Sequence, residues 1–156
     1  MTRINAGIIP QALIDQHLRA EYREIARVST QLKKLGSRKP NIPAAFKLGP
    51  GHQSFFLNKG KYLVERYQQL IDEMEVRGFN VGHPTYRVEP WNDRPEFFLN
   101  WDDTSAHLPL AERISVSVNR MKSEPMFNGK KIDRQVAIDA VLLNKPLSLL
   151  ITKSTK

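Results

Sequence analysis

Apolar side chains recur at intervals of three and four residues through a long central segment, and this spacing is typical of a helix with one buried face. The segment runs from about Phe55 to Arg77, and its repeating apolar positions are Leu63, Tyr67, Leu70, Ile71 and Met74. Gly78 follows directly, and a glycine in this place commonly ends a helix because it adopts the left-handed conformation without steric cost. The chain is therefore predicted to contain at least one long amphipathic helix.

Three other segments have the same helical spacing. They run from Pro10 to about Val28, from Pro109 to about Lys122 and from Asp133 to Leu143. Residues 114–118 also alternate between apolar and polar in the manner of a strand, so that helix and strand compete there. No repeat and no convincing hairpin is present. We predict an all-α fold, a single compact domain over residues 1–156 with three to four helices, long irregular connections and a divergent C-terminal extension at 130–156.

The composition excludes several kinds of site. The 156 residues include no cysteine, which excludes disulfides, zinc–thiolate sites, iron–sulfur clusters and cysteine nucleophiles. The short motifs of zinc proteases, phosphate-binding loops and serine hydrolases are also missing from the sequence. His17 and Glu21 are four residues apart, a spacing compatible with a metal, but two ligands make a weak site. We expect no metal and no cofactor.

Membrane and export signals are equally lacking in the sequence. No apolar stretch approaches the roughly 20 residues that a membrane-spanning helix needs. Residues 1–5 do not contain the apolar centre of a secretion signal. We therefore expect a soluble cytoplasmic protein with no membrane partner.

Basic residues are unevenly distributed along the chain. The formal net charge is +8, from 24 lysines and arginines against 16 acids. Residues 25–64 carry eight basic residues and no acid, residues 65–112 carry ten acids against four bases, and residues 113–156 carry nine bases against three acids. A fold that places the two basic blocks on one side would attract a polyanion. We favour a nucleic acid over a membrane surface, an acidic protein partner, or basic side chains that are merely solvated.

One face of the first predicted helix combines arginines with a carboxylate. Gln16, Ala20, Arg23 and Arg27 follow one another at intervals of four, three and four residues. Arginine suits phosphate because its planar guanidinium group bonds two oxygens at once. Glu24 lies among these arginines and would repel a phosphate. Its presence is explained either by pairing within the helix or by proton transfer during chemistry on a bound nucleic acid.

Three blocks of the sequence resemble one known family. The first block is Thr2-Arg3-Ile4-Asn5 with Asp15-Gln16-His17-Leu18, Ala20-Glu21-Tyr22-Arg23-Glu24 and Arg27. The second block is Leu48-Gly49-Pro50-Gly51-His52 with Phe55-Phe56 and Lys59. The third block is Arg77-Gly78-Phe79-Asn80. They are similar to the phage-type pyrimidine dimer DNA glycosylases, strongly so over residues 1–27 and 46–81. Residues 125–130 depart from the family, because they hold one aromatic residue, Phe127, where the family has an aromatic cluster.

The resemblance implies an all-α glycosylase and AP lyase that acts without metal or cofactor on double-stranded DNA containing a pyrimidine dimer. It implies that removal of Met1 exposes the α-amine of Thr2 as the nucleophile. This amine would expel the 5′ base of the dimer and form a Schiff base that allows β-elimination. An α-amine has an ordinary pKa of about 7.7–8.0, against about 10.4 for lysine, so that it is substantially neutral near pH 7. Glu24 matches the family's catalytic carboxylate.

The resemblance also implies particular DNA contacts. Arg23 and Arg27 match residues that hold the phosphates around the lesion, and Arg3 and Gln16 match contacts at the same site. We expect a monomer that is associated with the nucleoid.

Two alternatives stay open on the sequence. The same amine chemistry could act on another lesion or on an abasic site, and a non-catalytic DNA-binding protein could keep the fold and the basic face. Reduction with borohydride separates these cases, because only the enzymes form an imine that is trapped as a covalent adduct with DNA.

Overall fold

In a computed structural model of the chain, the described residues are 3–82 and 84–154. Seven α-helices lie in this part of the chain: α1 (Asp15–Glu24), α2 (Ala26–Leu35), α3 (His52–Phe55), α4 (Gly60–Val76), α5 (His107–Arg120), α6 (Arg134–Leu143) and α7 (Leu147–Ser154). Short 3-10 turns lie at Pro10–Ala12, Phe56–Asn58, Glu89–Trp91, Pro95–Phe97 and Thr104–Ala106. The all-α prediction is confirmed, but these seven helices exceed the three to four that we predicted. None of the described helices is both long and apolar enough to cross a membrane.

One short β-hairpin lies between α5 and α6 in the sequence. β1 (Met126–Phe127) pairs antiparallel with β2 (Lys130–Lys131). Asn128 and Gly129 join them with φ angles of +53° and +77°, the left-handed geometry for which an Asn-Gly turn is suited. The expectation of no hairpin is therefore wrong. The Asn-Gly signal is present in the sequence, but the strands beside it are only two residues long and show no alternation.

The chain divides into two compact units that alternate along the sequence. The first unit comprises the N-terminal segment to Ile4, Glu21–Asp72 and Val81–Asp102. The second unit comprises Asn5–Ala20, Glu73–Asn80 and the chain from Asp103 onward. The divisions fall inside α1 and inside α4. The single domain with an extension at 130–156 stays a prediction.

Aromatic rings form much of the core of the first unit. Six of them pack at centroid distances of 5.0 to 6.3 Å, mostly edge to face: Phe46, His52, Phe55, Phe56, Tyr62 and Trp101. Beside them, the buried indole of Trp91 donates to the carbonyl of Leu57 at 2.9 Å. Gly60 begins α4 against this indole, and a Cβ there would lie 2.9 Å from Trp91. The absence of a side chain at Gly60 lets α4 pack on the aromatic core.

A buried ion pair joins the end of α1 to α4 within the first unit. Arg66 donates from Nε and Nη2 to the two carboxylate oxygens of Glu21 at 2.8 and 2.9 Å. Both side chains are almost inaccessible to solvent. The bidentate geometry satisfies both groups, and removing one partner of such a pair commonly costs about 3–5 kcal/mol because the other charge stays buried. Glu21 therefore has a structural partner in Arg66.

Charged side chains also organise the second unit. Arg77 follows α4 and donates to Glu73 at 2.7 Å and to Asp15 at 3.0 Å, where all three side chains are nearly buried. Asp15 also accepts the backbone N–H groups of Asn128 and Gly129 at 3.2 and 2.9 Å. One carboxylate at the start of α1 thus holds both the end of α4 and the turn of the hairpin.

The helix from Asp133 to Leu143 is confirmed as α6, with a cap at each end. Asp133 accepts the backbone N–H of Gln135 at 2.8 Å, and Asn144 takes the left-handed conformation after the last turn. The Asn144 side chain also accepts from the N–H of Ile9 and donates to the carbonyl of Gly7. These contacts attach α6 to the segment that precedes α1. The helix that we predicted from Pro109 is likewise confirmed as α5, and residues 114–118 are helical.

Candidate active site

Four of the predicted site residues lie in the first unit. Arg23 and Glu24 occupy the last two positions of α1, Arg27 is in the first turn of α2, and Arg3 belongs to the N-terminal segment. Arg23 is exposed and Arg3 is half-buried. Thr2 lies outside the described residues. The carboxylate and the three arginines are therefore parts of one unit, which also includes the N-terminal segment.

The carboxylate of Glu24 is only weakly engaged by its neighbour. Its Oε1 lies 3.7 Å from Nη1 of Arg27, which is beyond hydrogen-bond distance. The side chain of Glu24 is 20% exposed and that of Arg27 is 56% exposed. An ion pair this exposed contributes at most about 1 kcal/mol. The carboxylate is thus partly sheltered from solvent, carries a cation beside it and can still accept hydrogen bonds from a ligand.

A side chain from elsewhere in the first unit separates α1 from α2. The two helices are divided by Ile25 alone, whose carbonyl accepts a hydrogen bond from the hydroxyl of Tyr86 at 2.7 Å. In an uninterrupted helix this carbonyl would pair with the N–H of Ser29, four residues on. Burial raises the pKa of the Tyr86 hydroxyl, and a hydrogen bond from the Ser29 backbone opposes that rise. The hydroxyl therefore lies within the helical hydrogen-bond ladder, a recognised cause of a kink.

The break sets where the site side chains are placed. Glu24 ends α1 just before it, and Arg27 begins α2 just after it. The apolar spacing predicts one helix from Pro10 to about Val28. The structure has instead a 3-10 turn at Pro10–Ala12, a break at Ile25 and a second helix that continues to Leu35, so the predicted single helix is wrong.

Replacing Tyr86 by phenylalanine tests this placement. In Tyr86→Phe, the Ser29 N–H loses its partner and the Ile25 carbonyl keeps only its long 3.4 Å bond from the N–H of Val28, or the two groups pair directly and straighten the junction. We expect a loss of about 1–3 kcal/mol in the free energy of unfolding in the first case. In the second case stability is kept and cleavage of substrate DNA falls. Denaturant unfolding and single-turnover cleavage distinguish the two. Tyr67→Phe is the control, since it removes a neighbouring hydroxyl whose hydrogen bond is to the Tyr22 side chain and not to the Ile25 carbonyl. Equal effects of both changes would contradict the placement.

The N-terminal segment is attached to the core of the first unit by His52. Its Nε2 accepts the backbone N–H of Ile4 at 2.9 Å, and its Nδ1 lies 3.0 Å from the carbonyl oxygen of Lys47. Because a carbonyl can only accept, Nδ1 carries the proton and the ring is neutral. Burial lowers the pKa of His52, and the nearby charge of Arg3 lowers it further, while the Lys47 carbonyl and Glu21 raise it.

A basic pocket adjoins Arg27 in the first unit. Its volume is about 550 Å³, and its lining residues are Arg27, Thr30, Gln31, Lys34, Leu35, Arg38 and Gln53. Three of these side chains are cationic and none is acidic. The amide of Gln53 donates to that of Gln31 at 2.5 Å, which fixes one wall of the pocket. The pocket offers guanidinium, ammonium and amide groups to an anionic ligand.

Gln16 belongs to the second unit, where both ends of its side chain have protein partners. Its Nε2 donates to the carbonyl of Glu124 at 2.7 Å, and its Oε1 accepts the N–H of Met126 at 3.0 Å. These bonds hold the start of the hairpin on α1. A role of Gln16 in binding DNA stays a prediction, and the geometry adds a structural role beside it.

The roles of Tyr86 and His52 are not evident from the sequence. His52 stands in a block that resembles the family, but a single histidine has many structural uses. Tyr86 carries no local signal, because its partner Ile25 is 61 residues away. Across the described ranges, no three histidine, aspartate or glutamate side chains converge in a way that could hold a metal ion.

The N-terminal part of the chain matches one known protein family. The model of the pyrimidine dimer DNA glycosylase family matches residues 1–87, more than half of the chain. The matched range includes Arg23, Glu24 and Arg27 as well as His52 and Tyr86. The chain therefore belongs to the pyrimidine dimer DNA glycosylase family and is a DNA repair glycosylase.

Proposed function

We propose that this chain is a glycosylase and AP lyase that excises the 5′ base of a pyrimidine dimer in double-stranded DNA. The nucleophile is the α-amine of Thr2 after Met1 is removed, and Glu24 is the catalytic carboxylate. The observation that carries the proposal is the half-buried Glu24 carboxylate between two arginines, in the unit to which the N-terminal segment also belongs. The protein acts as a monomer, without metal or cofactor.

The first bond changes occur at the sugar. The neutral amine donates its electron pair to C1′, and the bond from C1′ to the base breaks, so that the base leaves and takes a proton. The bond from C1′ to the ring oxygen then breaks, and this oxygen takes up a proton from water. The result is a protonated imine between the amine nitrogen and C1′, with a hydroxyl where the ring oxygen was.

The second stage breaks the strand. Removal of a proton from C2′ delivers electrons toward the imine, and the bond from C3′ to its phosphate oxygen breaks by β-elimination. A carboxylate suits this stage because it can accept the C2′ proton and can stabilise the cationic imine. Glu24 is sheltered enough for its charge to matter and open enough to reach a ligand.

The arginines suit the phosphates of the same substrate. Arg23 is exposed at the end of α1, and Arg27 is more than half exposed at the start of α2. Guanidinium groups bind phosphate in pairs of hydrogen bonds. Beside Arg27, the pocket with Lys34 and Arg38 extends this positive surface along α2.

Borohydride trapping tests the proposed function. The chain is incubated with three duplexes that contain a pyrimidine dimer, an abasic site or no damage, and the imine is reduced to a stable adduct. We expect an adduct with the dimer and with the abasic site and none with undamaged DNA. An adduct with the abasic site alone would favour the same chemistry on another lesion. A gel shift of the DNA without any covalent adduct would favour a non-catalytic DNA-binding protein.

Salt dependence tests the role of the basic pocket. Each phosphate contact to duplex DNA contributes a slope of about −0.9 to log K against log salt. We expect Lys34→Ala to make this slope shallower by about one or less without abolishing cleavage, since Lys34 lines the pocket beside Arg27. Binding is measured by gel shift at several salt concentrations.

Lys33→Ala is the matched control for this prediction. Lys33 is in the same exposed turn of α2 but lines a different cavity, together with Glu89 and Asp93. We expect it to change the slope less than Lys34→Ala does. Binding that does not depend on salt in the unsubstituted chain would contradict the whole basic surface.

A further inference from the structure

His52 links the core of the first unit to the segment that carries the proposed nucleophile. It begins α3, directly after a turn in which Gly49 and Gly51 have positive φ angles. Its ring is 2% exposed and packs edge to face against Phe46 and Phe56. The ring therefore has a fixed orientation, and its two nitrogens have fixed partners in Lys47 and Ile4.

The bond to Ile4 requires a neutral ring. Nε2 can accept the N–H of Ile4 only while it carries no proton itself. A proton on Nε2 would place two N–H groups face to face at a separation of 2.9 Å between nitrogens. Protonation of His52 therefore removes this attachment of the N-terminal segment and adds a repulsion in its place.

Thr2 is two residues before Ile4, so its amine nitrogen is at most about 7 Å from the bonded nitrogen of Ile4 along the chain. A misplacement of about 1 Å at a reacting group can cost about 100-fold in rate. We propose that His52 is a positioning residue for the amine of Thr2, which holds the N-terminal segment when its ring is neutral and releases it when the ring takes up a proton. This inference rests on the proposed amine chemistry.

The charged groups that face the ring have opposing effects. Arg3, in the N-terminal segment, disfavours a proton on His52, and Glu21, on α1, favours one. Glu21 is itself bound by Arg66 of α4, which offsets its charge. Burial is the largest influence and also lowers the pKa of His52 below its ordinary value of 6.5. Release of the segment is thus confined to acidic conditions.

The pH dependence of adduct formation tests the proposal. If the amine of Thr2 is the only group that titrates, the rate of adduct formation falls tenfold for each pH unit below the pKa of the amine. Release by His52 adds a second proton, so that the fall steepens toward a hundredfold for each unit below the pKa of His52. The rate of trapping on an abasic-site duplex is measured between pH 5 and 8 in single turnover. A one-proton dependence that continues below the pH at which the His52 ring is observed by NMR to titrate would overturn the proposal.

Substitutions of His52 test separately its role as hydrogen-bond acceptor for Ile4 and its uptake of a proton. In His52→Gln, the side-chain oxygen can still accept from Ile4 but does not titrate, so we expect a rate within tenfold of the unsubstituted chain at pH 7.5 and a one-proton dependence below it. His52→Phe removes the acceptor and is expected to trap at least 100-fold more slowly, with DNA affinity within threefold. The control His107→Gln, in the second unit, should keep the two-proton dependence. An equally steep profile in His52→Gln would overturn the proposal.

A readout without DNA distinguishes failure of this inference from failure of the proposed function. In protein labelled with ¹⁵N-isoleucine, the amide resonance of Ile4 should shift with pH at the midpoint of the His52 ring, and should stay constant in His52→Gln. A constant Ile4 resonance while the ring titrates would overturn the role of His52. If the unsubstituted chain forms no adduct at any pH, the proposed amine chemistry is wrong, and His52 then has no nucleophile to position.

Discussion

Glu24→Gln is expected to bind dimer-containing DNA at least as tightly as the unsubstituted chain and to cleave it at least about 100-fold more slowly. The substitution keeps the size and the hydrogen-bonding reach of the side chain but removes its charge and its proton-accepting oxygen. Because Arg23 and Arg27 flank this position, loss of the negative charge removes a repulsion toward phosphate. Proton transfer by a placed carboxylate contributes about 10²–10⁴ in rate, and more is lost if it also stabilises the cationic imine. Gel-shift affinity and single-turnover cleavage are measured on one duplex.

Two comparison variants sharpen the Glu24 experiment. Glu65→Gln removes an exposed acid from α4 in the same unit and should leave the cleavage rate unchanged, which controls for the change in net charge. Arg27→Ala should lose affinity before it loses rate, because its proposed role is to hold phosphate. Cleavage by Glu24→Gln at nearly the unsubstituted rate would mean that Glu24 is only the surface ion partner of Arg27.

The positions of helices can be predicted from this sequence where a single buried apolar face determines them. α4, α5 and α6 each bury one face, and their positions follow from apolar residues at intervals of three and four. The break between α1 and α2 is different in kind. It follows from a hydroxyl on Tyr86 that binds the carbonyl of Ile25, and no local spacing contains that information. Its consequence is local nonetheless, since it separates Glu24 from Arg27.

In the candidate site, too, some features follow from neighbouring residues in the sequence and others from residues far away in it. The combination of Arg23 and Arg27 with Glu24 is visible in the sequence because these residues lie within five positions of one another. The partners that hold the surrounding chain in place are distant: Arg66 binds Glu21 from 45 residues away, and His52 binds Ile4 from 48 residues away. The sequence shows the carboxylate of Glu21 and the imidazole of His52 but neither their burial nor their partners, and those partners identify both as structural groups.

A chain that retains Met1 is expected to lose adduct formation by at least about 100-fold while keeping its affinity for DNA. Retention does not remove an α-amine but moves it by one residue, about 3.8 Å between Cα atoms, from the place where Thr2 would present it. A displacement well above 1 Å at the reacting atom accounts for at least that loss in rate. The arginines that bind phosphate are unchanged, so affinity should be unchanged as well. Protein from cells in which methionine aminopeptidase is inhibited supplies the retained form, and intact mass verifies it.

Restoration provides the decisive control for this prediction. Treatment of the retained form with purified methionine aminopeptidase should remove Met1, since threonine is small enough to follow the cleaved residue, and should restore trapping to the level of the processed chain. Restoration by removal of one residue excludes misfolding as the cause of the loss. A chain that keeps Met1 by mass and still traps DNA at the full rate would show that the amine of Thr2 is not the nucleophile. Lys59 in the first unit would then be the next candidate for the nucleophile. Burial lowers its pKa from the ordinary value of 10.5 and so favours a neutral amine.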